Sequence, residues 1–350
     1  MADLREISQS GSHPDCPKDS LKLPALWTKG PLNSPDYDYE AYMQDDETVY
    51  KLMNQLQTAG IAFVTNAPGI EESVSTIARR IGPCKDTFYG YTWDVRTVPA
   101  ASNAAYTSQD LGFHTDLLYF QQPPHVQLLH CIQSASSGGA SVFADAYLAA
   151  VDLFRSDMSA FDILATVPVN YHYNHADSNV YRTTKTVIDL RPLRIGDATY
   201  NRVEDYVKAY SKACGKELGS EDVAALLVRC MDKINWGPPF FAPFSNERSS
   251  PQLEPSWAND DGSPLSELND KVERWHHAAQ KFNALLQRPE YLLERKMKPG
   301  DCVLFDNTRT LHSRRAFDKA DVGKPRWLRG TYVDKDPYFS KLRVLQNKFA

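Results

Sequence analysis

Residues 299–317 read PGDCVLFDNTRTLHSRRAF. The Pro-Gly-Asp start of this stretch is typical of a turn, and the apolar run CVLFDN that follows predicts a strand. LHSRRAF predicts a second strand, and WLRGTYVD at residues 327–334 predicts a third. The C-terminal part of the chain therefore has β character.

The same pattern occurs upstream, between residues 86 and 146. Aromatic and β-branched runs separated by turn residues predict further strands there, namely DTFYGYTWDV, GFHTDLLYF, HVQLLHCI and SVFADAYL. Apolar spacing predicts helices over 46–60, 147–165 and 263–287, and IAFVTNAPG predicts another strand. Short strands with flanking helices favour a mainly β fold of the α+β class, with a barrel or double-sheet jelly roll rather than βαβ units.

The predicted domain organisation is one folded domain behind a tail. Residues 1–35 are rich in Ser, Pro, Asp and Lys and lack hydrophobic periodicity, which predicts a flexible N-terminal tail. Residues 36–350 are then expected to form one domain with a lid-like insertion around 200–290. The Pro-rich, polar stretch 236–265 marks this insertion, because long irregular segments inside compact domains are usually functional.

Composition and charge favour an ordinary globular protein. The 350 residues are 42% hydrophobic and carry a formal net charge of -5 without a block of Lys and Arg, so neither a nucleic-acid nor a membrane partner is expected. The start lacks the order of a signal peptide, and no stretch reaches the roughly 18 apolar residues of a membrane span. We therefore expect an intracellular, cytoplasmic protein. The six cysteines are scattered singly, which indicates isolated thiols rather than a zinc knuckle or redox dithiol.

Three His-x-Asp sequences compete as candidate metal sites. On a strand end, His-x-Asp delivers an imidazole and a carboxylate to one side, because residues i and i+2 of a strand point the same way. The candidates are, in chain order, His13/Asp15, His114/Asp116 and His175/Asp177. The first lies in the predicted tail and the third in a polar turn. Only the second is bracketed by apolar runs, LGF and LLYF, and we select it, although an isolated pair of this kind is more often structural.

A second histidine and an arginine downstream strengthen this choice. His312 lies between apolar neighbours, and Arg326 follows on the next predicted strand. Two imidazoles and one carboxylate are the ligand set of non-haem iron oxygenases, and they leave metal positions open for a co-substrate and oxygen. A guanidinium matches a carboxylate, such as the far end of 2-oxoglutarate, bidentately. Neighbouring Arg314, Arg315 and Arg329 are expected to be exposed arginines in salt bridges.

Several segments, in order, resemble the taurine dioxygenase superfamily, and within it the branch of γ-butyrobetaine hydroxylase and trimethyllysine hydroxylase. The resemblance runs from about residue 37 to 345 and rests on TFYGYTWDV, NAAYTSQDLGFHTD, PPHVQLLHCI, SGGAS, PGDCVLFDNTRTLHSRRAF and RWLRGTYVD. It implies a double-stranded β-helix, a form of jelly roll, and an Fe(II)- and 2-oxoglutarate-dependent dioxygenase that uses O2 as co-substrate. It implies no catalytic residue beyond the metal centre. By resemblance, iron is bound by His114, Asp116 and His312, and 2-oxoglutarate by Arg326, Ser141 and Leu129.

The resemblance also implies a small substrate with an amine or betaine group. In betaine-binding members an aromatic cage surrounds a trimethylammonium group, whose charge is attracted to the ring faces. The matching aromatic positions are Tyr89, Trp93, Tyr106 and Tyr332, and Asn103 matches an amide that contacts the substrate carboxylate. Without the resemblance, the four aromatic residues fit a hydrophobic core equally well.

Departures from the family pattern leave the substrate and the reaction open. The residue after the predicted iron aspartate is Leu117 rather than tyrosine, and after Ile234 the chain reads NWGPPFF where the betaine enzymes carry a further substrate-binding Asn. Hydroxylation is the expected default. The alternative is oxidation, desaturation or oxidative cyclisation of another amino acid or amine in a biosynthetic pathway. A non-catalytic binding protein is opposed by the intact ligand set, and homodimers are frequent in this branch.

Overall fold

The computed structural model describes residues 24–30, 35–96, 109–244, 265–317 and 326–349, except for the side chains of residues 265–268. Contacts divide these residues into two compact units. The sheet unit comprises the described parts of Asp19–Leu118, Gln122–Leu148 and Leu286–Ala350. The inserted unit comprises those of Tyr119–Gln121 and Ala149–Leu285.

Short strands and helices alternate along the described chain. The strands are β1 (Tyr37–Asp38), β2 (Ile61–Thr65), β3 (Trp93–Arg96), β4 (Leu111–His114), β5 (Val126–Gln133), β6 (Ser141–Asp145), β7 (Val169–His175), β8 (Asn179–Lys185), β9 (Ile188–Leu190), β10 (Leu193–Ile195), β11 (Ala198–Tyr200), β12 (Met231–Ile234), β13 (Leu293–Arg295), β14 (Cys302–Asp306), β15 (Thr310–Arg314) and β16 (Trp327–Val333). The α-helices are α1 (Tyr39–Gln44), α2 (Asp46–Ala59), α3 (Ser73–Arg79), α4 (Ala146–Ser156), α5 (Met158–Thr166), α6 (Val203–Cys214), α7 (Ser220–Cys230), α8 (Leu265–Leu286) and α9 (Lys335–Phe349).

Two sheets build the sheet unit. The larger has the strand order β1-β2-β14-β5-β16-β3, and the smaller has the order β13-β6-β15-β4. The pairs are antiparallel except for β1 with β2. Strands that are far apart in sequence, such as β5 and β14, therefore pair directly. The fold is mixed sheet with helices, which confirms that part of the predicted fold class.

Both faces of the larger sheet are covered. Leu128 of β5 packs with side chains of α1, α2, α3 and α9 in one core cluster. Its neighbour Leu129 packs instead in a second cluster with Phe143 of the smaller sheet. The Phe143 ring centroid lies 6.1 Å from that of Phe63 and 5.5 Å from that of Phe305, both on the larger sheet. Because successive side chains of a strand point to opposite faces, β5 contributes to both cores.

Helix α2 shows how the sequence specifies these elements locally. The Asp45 side chain caps its N-terminus by accepting hydrogen bonds from two backbone N–H groups, and Gly60 ends it with a left-handed φ of 74°. The buried face, at helical spacing, consists of Val49, Leu52, Met53 and Leu56. The helix predicted over residues 46–60 is therefore confirmed.

Three predicted elements end or break earlier than their apolar runs suggest. Strand β4 stops at His114, and the LLYF run forms a turn in which Leu117 adopts a left-handed φ of 55°. In SVFADAYL the strand gives way to a helix after Asp145. The helix predicted over 147–165 is two helices, because the Asp157 side chain caps the second one.

Part of the predicted tail is packed into the sheet unit. Trp27 is buried, and its indole Nε1 donates to Ala59 O at 2.6 Å. Its backbone N donates to the Asp145 side chain at 3.2 Å, and Asp145 forms a fully buried ion pair with Arg309 at 2.8 Å. Arg309 also donates to Ala25 O at 2.6 Å. The described residues around Trp27 are thus packed, and the flexible tail over residues 1–35 stays a prediction.

The inserted unit combines small antiparallel strand pairs with helices. Strand β7 pairs with β8, β9 with β12, and β10 with β11. Trp236 and Phe282 pack edge to face at a centroid distance of 5.2 Å. The stretch predicted as a lid-like insertion lies largely in this unit, residues 245–264 are outside the described part, and the action of a lid stays a prediction. No helix in the described ranges has both the length and the apolar composition that crossing a bilayer requires.

Candidate metal centre

His114 and His312 lie side by side in the smaller sheet. They are partners in the antiparallel pairing of β4 with β15, and their ring centroids are 4.1 Å apart. Asp116 completes the group, because its Oδ1 lies 3.1 Å from His114 Nε2 and 3.9 Å from His312 Nε2. Within the described residues, this is the only group of three or more His, Cys, Asp or Glu side chains whose ligand atoms all lie within 4.8 Å of one another.

The competing His-x-Asp pairs have different surroundings. His175 is the last residue of β7, and Asp177 is exposed in the turn that follows; neither joins such a group among the described residues. The pair at residues 13 and 15 lies outside the described residues. Of the three sequence candidates, the structure therefore brings together the one that was selected.

Asn307 fixes the turn that carries Asp116. Its Oδ1 accepts a hydrogen bond from Asp116 N at 2.9 Å, and its Nδ2 donates to Asp116 O at 3.0 Å and to Pro124 O at 3.1 Å. Asn307 is fully buried and follows β14 directly. Because one amide binds both backbone groups of Asp116, the segment before β15 positions the segment after β4.

Hydrogen bonds and burial fix the orientation of the His114 ring and the charges of His312 and Asp116. His114 Nδ1 donates to Gly112 O at 2.9 Å, so Nε2 is the ring atom that faces Asp116. Burial lowers the pKa of His312 to about 3, and its imidazole is therefore neutral at neutral pH. Burial would raise the pKa of Asp116, but its contacts with His114, His312 and Tyr332 hold that pKa well below the usual range. Two imidazoles facing one carboxylate fit Fe(II) as it is bound in non-haem oxygenases.

A cavity of about 70 Å³ lies beside these side chains. Its lining includes all three candidate metal ligands and the predicted co-substrate residues Arg326, Ser141 and Leu129. Arg326 is 6% exposed, and within the described residues neither a hydrogen bond nor an ion pair joins it to a carboxylate. Burial, followed by repulsion from Arg314, lowers the pKa of Arg326 to about 10, so the guanidinium is still charged at neutral pH. A buried charge without a counter-charge is costly, and this arrangement suits an anionic ligand.

The predicted substrate residues reach this cavity only in part. Trp93 lines it, and its ring stacks on Tyr332 at a centroid distance of 4.0 Å. Tyr332 is 1% exposed, and its hydroxyl donates to Asp116 Oδ2 at 2.8 Å. Tyr89 lies 6.4 Å from Trp93, ring to ring, and does not line the cavity. Asn103 and Tyr106 lie outside the described residues, so a cage of four aromatic residues stays a prediction.

Two polar residues of the site were not singled out from the sequence. Gln127 donates to Asp116 Oδ2 at 2.6 Å, and Asn307 holds the backbone of the same aspartate. Strand periodicity could have found the first, because Gln127 precedes Leu129 by two residues on β5 and so shares its face. No local pattern marks Asn307, whose partner lies far away in sequence.

The arginines near His312 differ in burial and in their partners. Arg315 and Arg329 form the expected salt bridges to carboxylates, at 3.1 and 2.8 Å, but only Arg315 is exposed as expected, because the Arg329 side chain is half-buried. The expectation that Arg314 is exposed is wrong, because it is 6% exposed and lines the cavity. Its position two residues after His312 on β15 places both side chains on the same face.

Comparison with known proteins identifies the family. The family model described as taurine catabolism dioxygenase TauD, TfdA family matches residues 22–235 and 244–332. The chain belongs to this family. Among TauD/TfdA relatives, dioxygenase str8 of Strobilurus tenacellus is 30% identical over 98% of this chain and 70% of its own length. The γ-butyrobetaine dioxygenase of Homo sapiens is 29% identical over 91% of this chain and 68% of its own length.

A solved structure supports the fold of this TauD/TfdA protein. The structure of AAD-2 in complex with Mn(II) and N-oxalylglycine covers 89% of this chain and 97% of its own, with a TM-score of 0.53 and 15% identity. This likeness concerns the fold alone. Family membership together with the His-Asp-His group makes the chain an Fe(II)- and 2-oxoglutarate-dependent dioxygenase with O2 as co-substrate. The predicted enzyme class and cofactors are therefore confirmed.

Proposed function

We propose that this dioxygenase oxidises an unactivated C–H bond of a small amine or betaine-type substrate, with hydroxylation as the outcome. The observation that carries the proposal is the cavity that joins His114, Asp116 and His312 to Arg326. The similarity to the human γ-butyrobetaine dioxygenase supports the substrate class.

Each residue at the cavity has one role in this proposal. The two histidines and the aspartate hold iron, while Arg326 binds the far carboxylate of 2-oxoglutarate and Leu129 packs against its chain. The Ser141 hydroxyl adds a hydrogen bond, since its partner in the described residues is only the Met297 sulfur at 3.7 Å. Iron with 2-oxoglutarate and O2 supplies the oxidising power that breaks a C–H bond. The protein orients one C–H bond and excludes water.

We propose a double-stranded β-helix as the architecture of the sheet unit. Two largely antiparallel sheets share one apolar core, as in jelly rolls. Strands β4 and β15 of the smaller sheet carry the two histidines, and β5 and β16 of the larger sheet carry residues around the cavity.

Trp93 is the aromatic residue that we place against the cationic end of the substrate. Its indole lies against Gly330, where an added Cβ atom would clash with Cζ2. A cation over an aromatic face gains about 1–2 kcal/mol where water is excluded. By resemblance, Tyr89, Tyr106 and Asn103 complete this substrate site, and Tyr332 supports it through its stacked ring.

Oxidation of another amino acid or amine, including desaturation or oxidative cyclisation, is the second candidate. Asn235 favours it, because this residue lies in the stretch where the betaine enzymes carry a further substrate-binding Asn. Its Nδ2 donates to Thr186 O at 2.9 Å, its backbone carbonyl accepts from the Tyr171 hydroxyl at 2.8 Å, and the residue is fully buried. Trp236, the next residue, is also buried. This stretch therefore does not favour a second contact to a substrate carboxylate.

Succinate formation with Fe(II) and 2-oxoglutarate tests the proposal. Trimethylammonium compounds should give succinate and a product with one added oxygen atom, and His312→Ala should give neither. Turnover of amino acids without a trimethylammonium group would favour the second candidate. Absence of succinate with every compound, together with absence of iron affinity, would refute the proposed activity.

We also propose a homodimer, on the family resemblance alone. Light scattering on the purified protein measures its mass in solution, and a monomeric mass contradicts the proposal.

A further inference from the structure

The two carboxylate oxygens of Asp116 have different surroundings. Oδ1 faces the histidines, 3.1 Å from His114 Nε2 and 3.9 Å from His312 Nε2. Oδ2 accepts a hydrogen bond from Gln127 Nε2 at 2.6 Å and another from the Tyr332 hydroxyl at 2.8 Å. The protein thus engages one oxygen and leaves the other to the candidate metal site.

The two donors are neighbours in the larger sheet. Gln127 on β5 and Tyr332 on β16 are direct partners in the antiparallel pairing of these strands. Side chains at directly opposite positions lie close together on the same face, so both donors reach one acceptor. Both residues are 1% exposed, and the Tyr332 ring is stacked on Trp93 with an angle of 20° between the planes.

We propose that Tyr332 and Gln127 are positioning residues that hold Asp116 in its metal-binding orientation. The inference rests on the proposed function, because it takes Asp116 as an iron ligand. Asn307 fixes the backbone of Asp116, but a backbone anchor leaves the side-chain torsions free. The pair on Oδ2 removes that freedom, so Oδ1 stays directed at the two imidazoles. Partners of metal ligands of this kind typically contribute about 10–100-fold to metal affinity.

This role differs from the one that the family resemblance implies for Tyr332. As a cage residue, Tyr332 would act on the substrate through its ring, and its hydroxyl would be dispensable. As a positioning residue, it acts on the metal through its hydroxyl, and substrate is not required. The two roles therefore separate in a binding measurement without substrate.

Co(II) binding to the full chain, without 2-oxoglutarate or substrate, tests the inference. Affinity and the Co(II) absorption spectrum are measured for the unaltered protein, Tyr332→Phe and Gln127→Leu. Each variant should bind Co(II) about tenfold or more weakly, with a changed spectrum, because Asp116 loses one hydrogen bond. Tyr338→Phe is the matched control, since it removes another fully buried hydroxyl, which donates to Met53 O at 2.8 Å. The control should bind Co(II) as the unaltered protein does.

A double-mutant cycle separates positioning from a general loss of structure. In an Asp116→Ala background, Tyr332→Phe should have no further effect on Co(II) affinity, whereas a structural defect would persist. The melting temperature of each variant shows whether it folds. Because Gln127 and Tyr332 lie on two different strands, one variant still tests the inference if the other fails to fold. Co(II) affinity within threefold of the unaltered protein in both folded variants overturns the inference while leaving the proposed function intact. If Asp116→Ala itself binds Co(II) as tightly as the unaltered protein, the proposed function fails instead.

Discussion

Replacing Arg326 with methionine should stabilise the ligand-free protein. The guanidinium is 6% exposed, and burial lowers its pKa from the ordinary 12.5 to about 10. At about 1.36 kcal/mol for each pKa unit, burying this charge costs roughly 3 kcal/mol. Because the folded-state pKa is the lower one, the cost is present in full below about pH 10 and is relieved only as the pH rises above it. Methionine removes the charge and keeps an apolar chain, so the free energy of unfolding should rise by up to about 3 kcal/mol.

The same substitution should weaken 2-oxoglutarate binding. Truncating one partner of a buried, hydrogen-bonded charge pair costs about 2–5 kcal/mol, which is a loss of roughly 30-fold or more in affinity. Calorimetric titration of the Mn(II)-loaded protein with 2-oxoglutarate measures the affinity, and urea unfolding measures the stability.

Arg315→Met is the matched control for both measurements. Arg315 forms a half-exposed salt bridge with Glu294 at 3.1 Å, and such pairs contribute only about 0–1 kcal/mol. The control should therefore change neither quantity by more than this. If Arg326→Met is destabilised and still binds 2-oxoglutarate with unchanged affinity, the guanidinium has a structural partner and does not bind the co-substrate.

Three further substitutions test other parts of the structure. Arg309→Met should lower the free energy of unfolding in urea by about 3–5 kcal/mol, opposite in sign to the first prediction, because it leaves Asp145 charged and buried; a neutral result would show that the ion pair contributes nothing. Gly330→Ala should displace Trp93 and raise the KM for an amine substrate about tenfold with 2-oxoglutarate affinity unchanged, and an unchanged KM in steady-state kinetics would remove this tryptophan from the substrate site. His130 is fully buried, and burial lowers its pKa to about 4. Above about pH 6.5 the imidazole is neutral in the folded and the unfolded chain; as the pH falls toward 4 only the unfolded chain takes up the proton, so the free energy of unfolding falls by roughly 3 kcal/mol. His130→Leu should flatten this dependence in urea unfolding at the two pH values, and an equally steep profile would assign it to other groups.

The three candidate metal ligands could be predicted because local rules apply to most of the arrangement. His114 and His312 lie on short apolar strands, and strand pairing brings them together. Strand periodicity explains only part of the position of Asp116. It lies beyond the end of β4, in a turn that Asn307 holds from a distant part of the chain.

The rest of the site depends on contacts that no local pattern encodes. The sequence shows that Tyr332 carries a ring, but the acceptor of its hydroxyl depends on which residue faces it across the sheet. The sequence predicts Arg314 as an exposed arginine in a salt bridge, yet its strand face coincides with that of His312. Long-range pairing decided both outcomes, since it sets which face of each strand is enclosed.

The ion pair between Arg309 and Asp145 links the segment around Trp27 to β15, the strand that carries the candidate metal ligand His312. Arg309 lies just before β15, and its guanidinium holds Ala25 O as well as Asp145, to which Trp27 N also donates. Proteolytic removal of the residues up to and including Trp27 would expose the buried ion pair of Arg309 and Asp145. It would also weaken the contacts that hold the start of β15, the strand that carries His312. Loss of a few residues far in sequence from the candidate metal ligands would then be detected as a loss of metal affinity. Versions of the chain that are shortened from the N-terminal side should therefore retain Ala25 and Trp27.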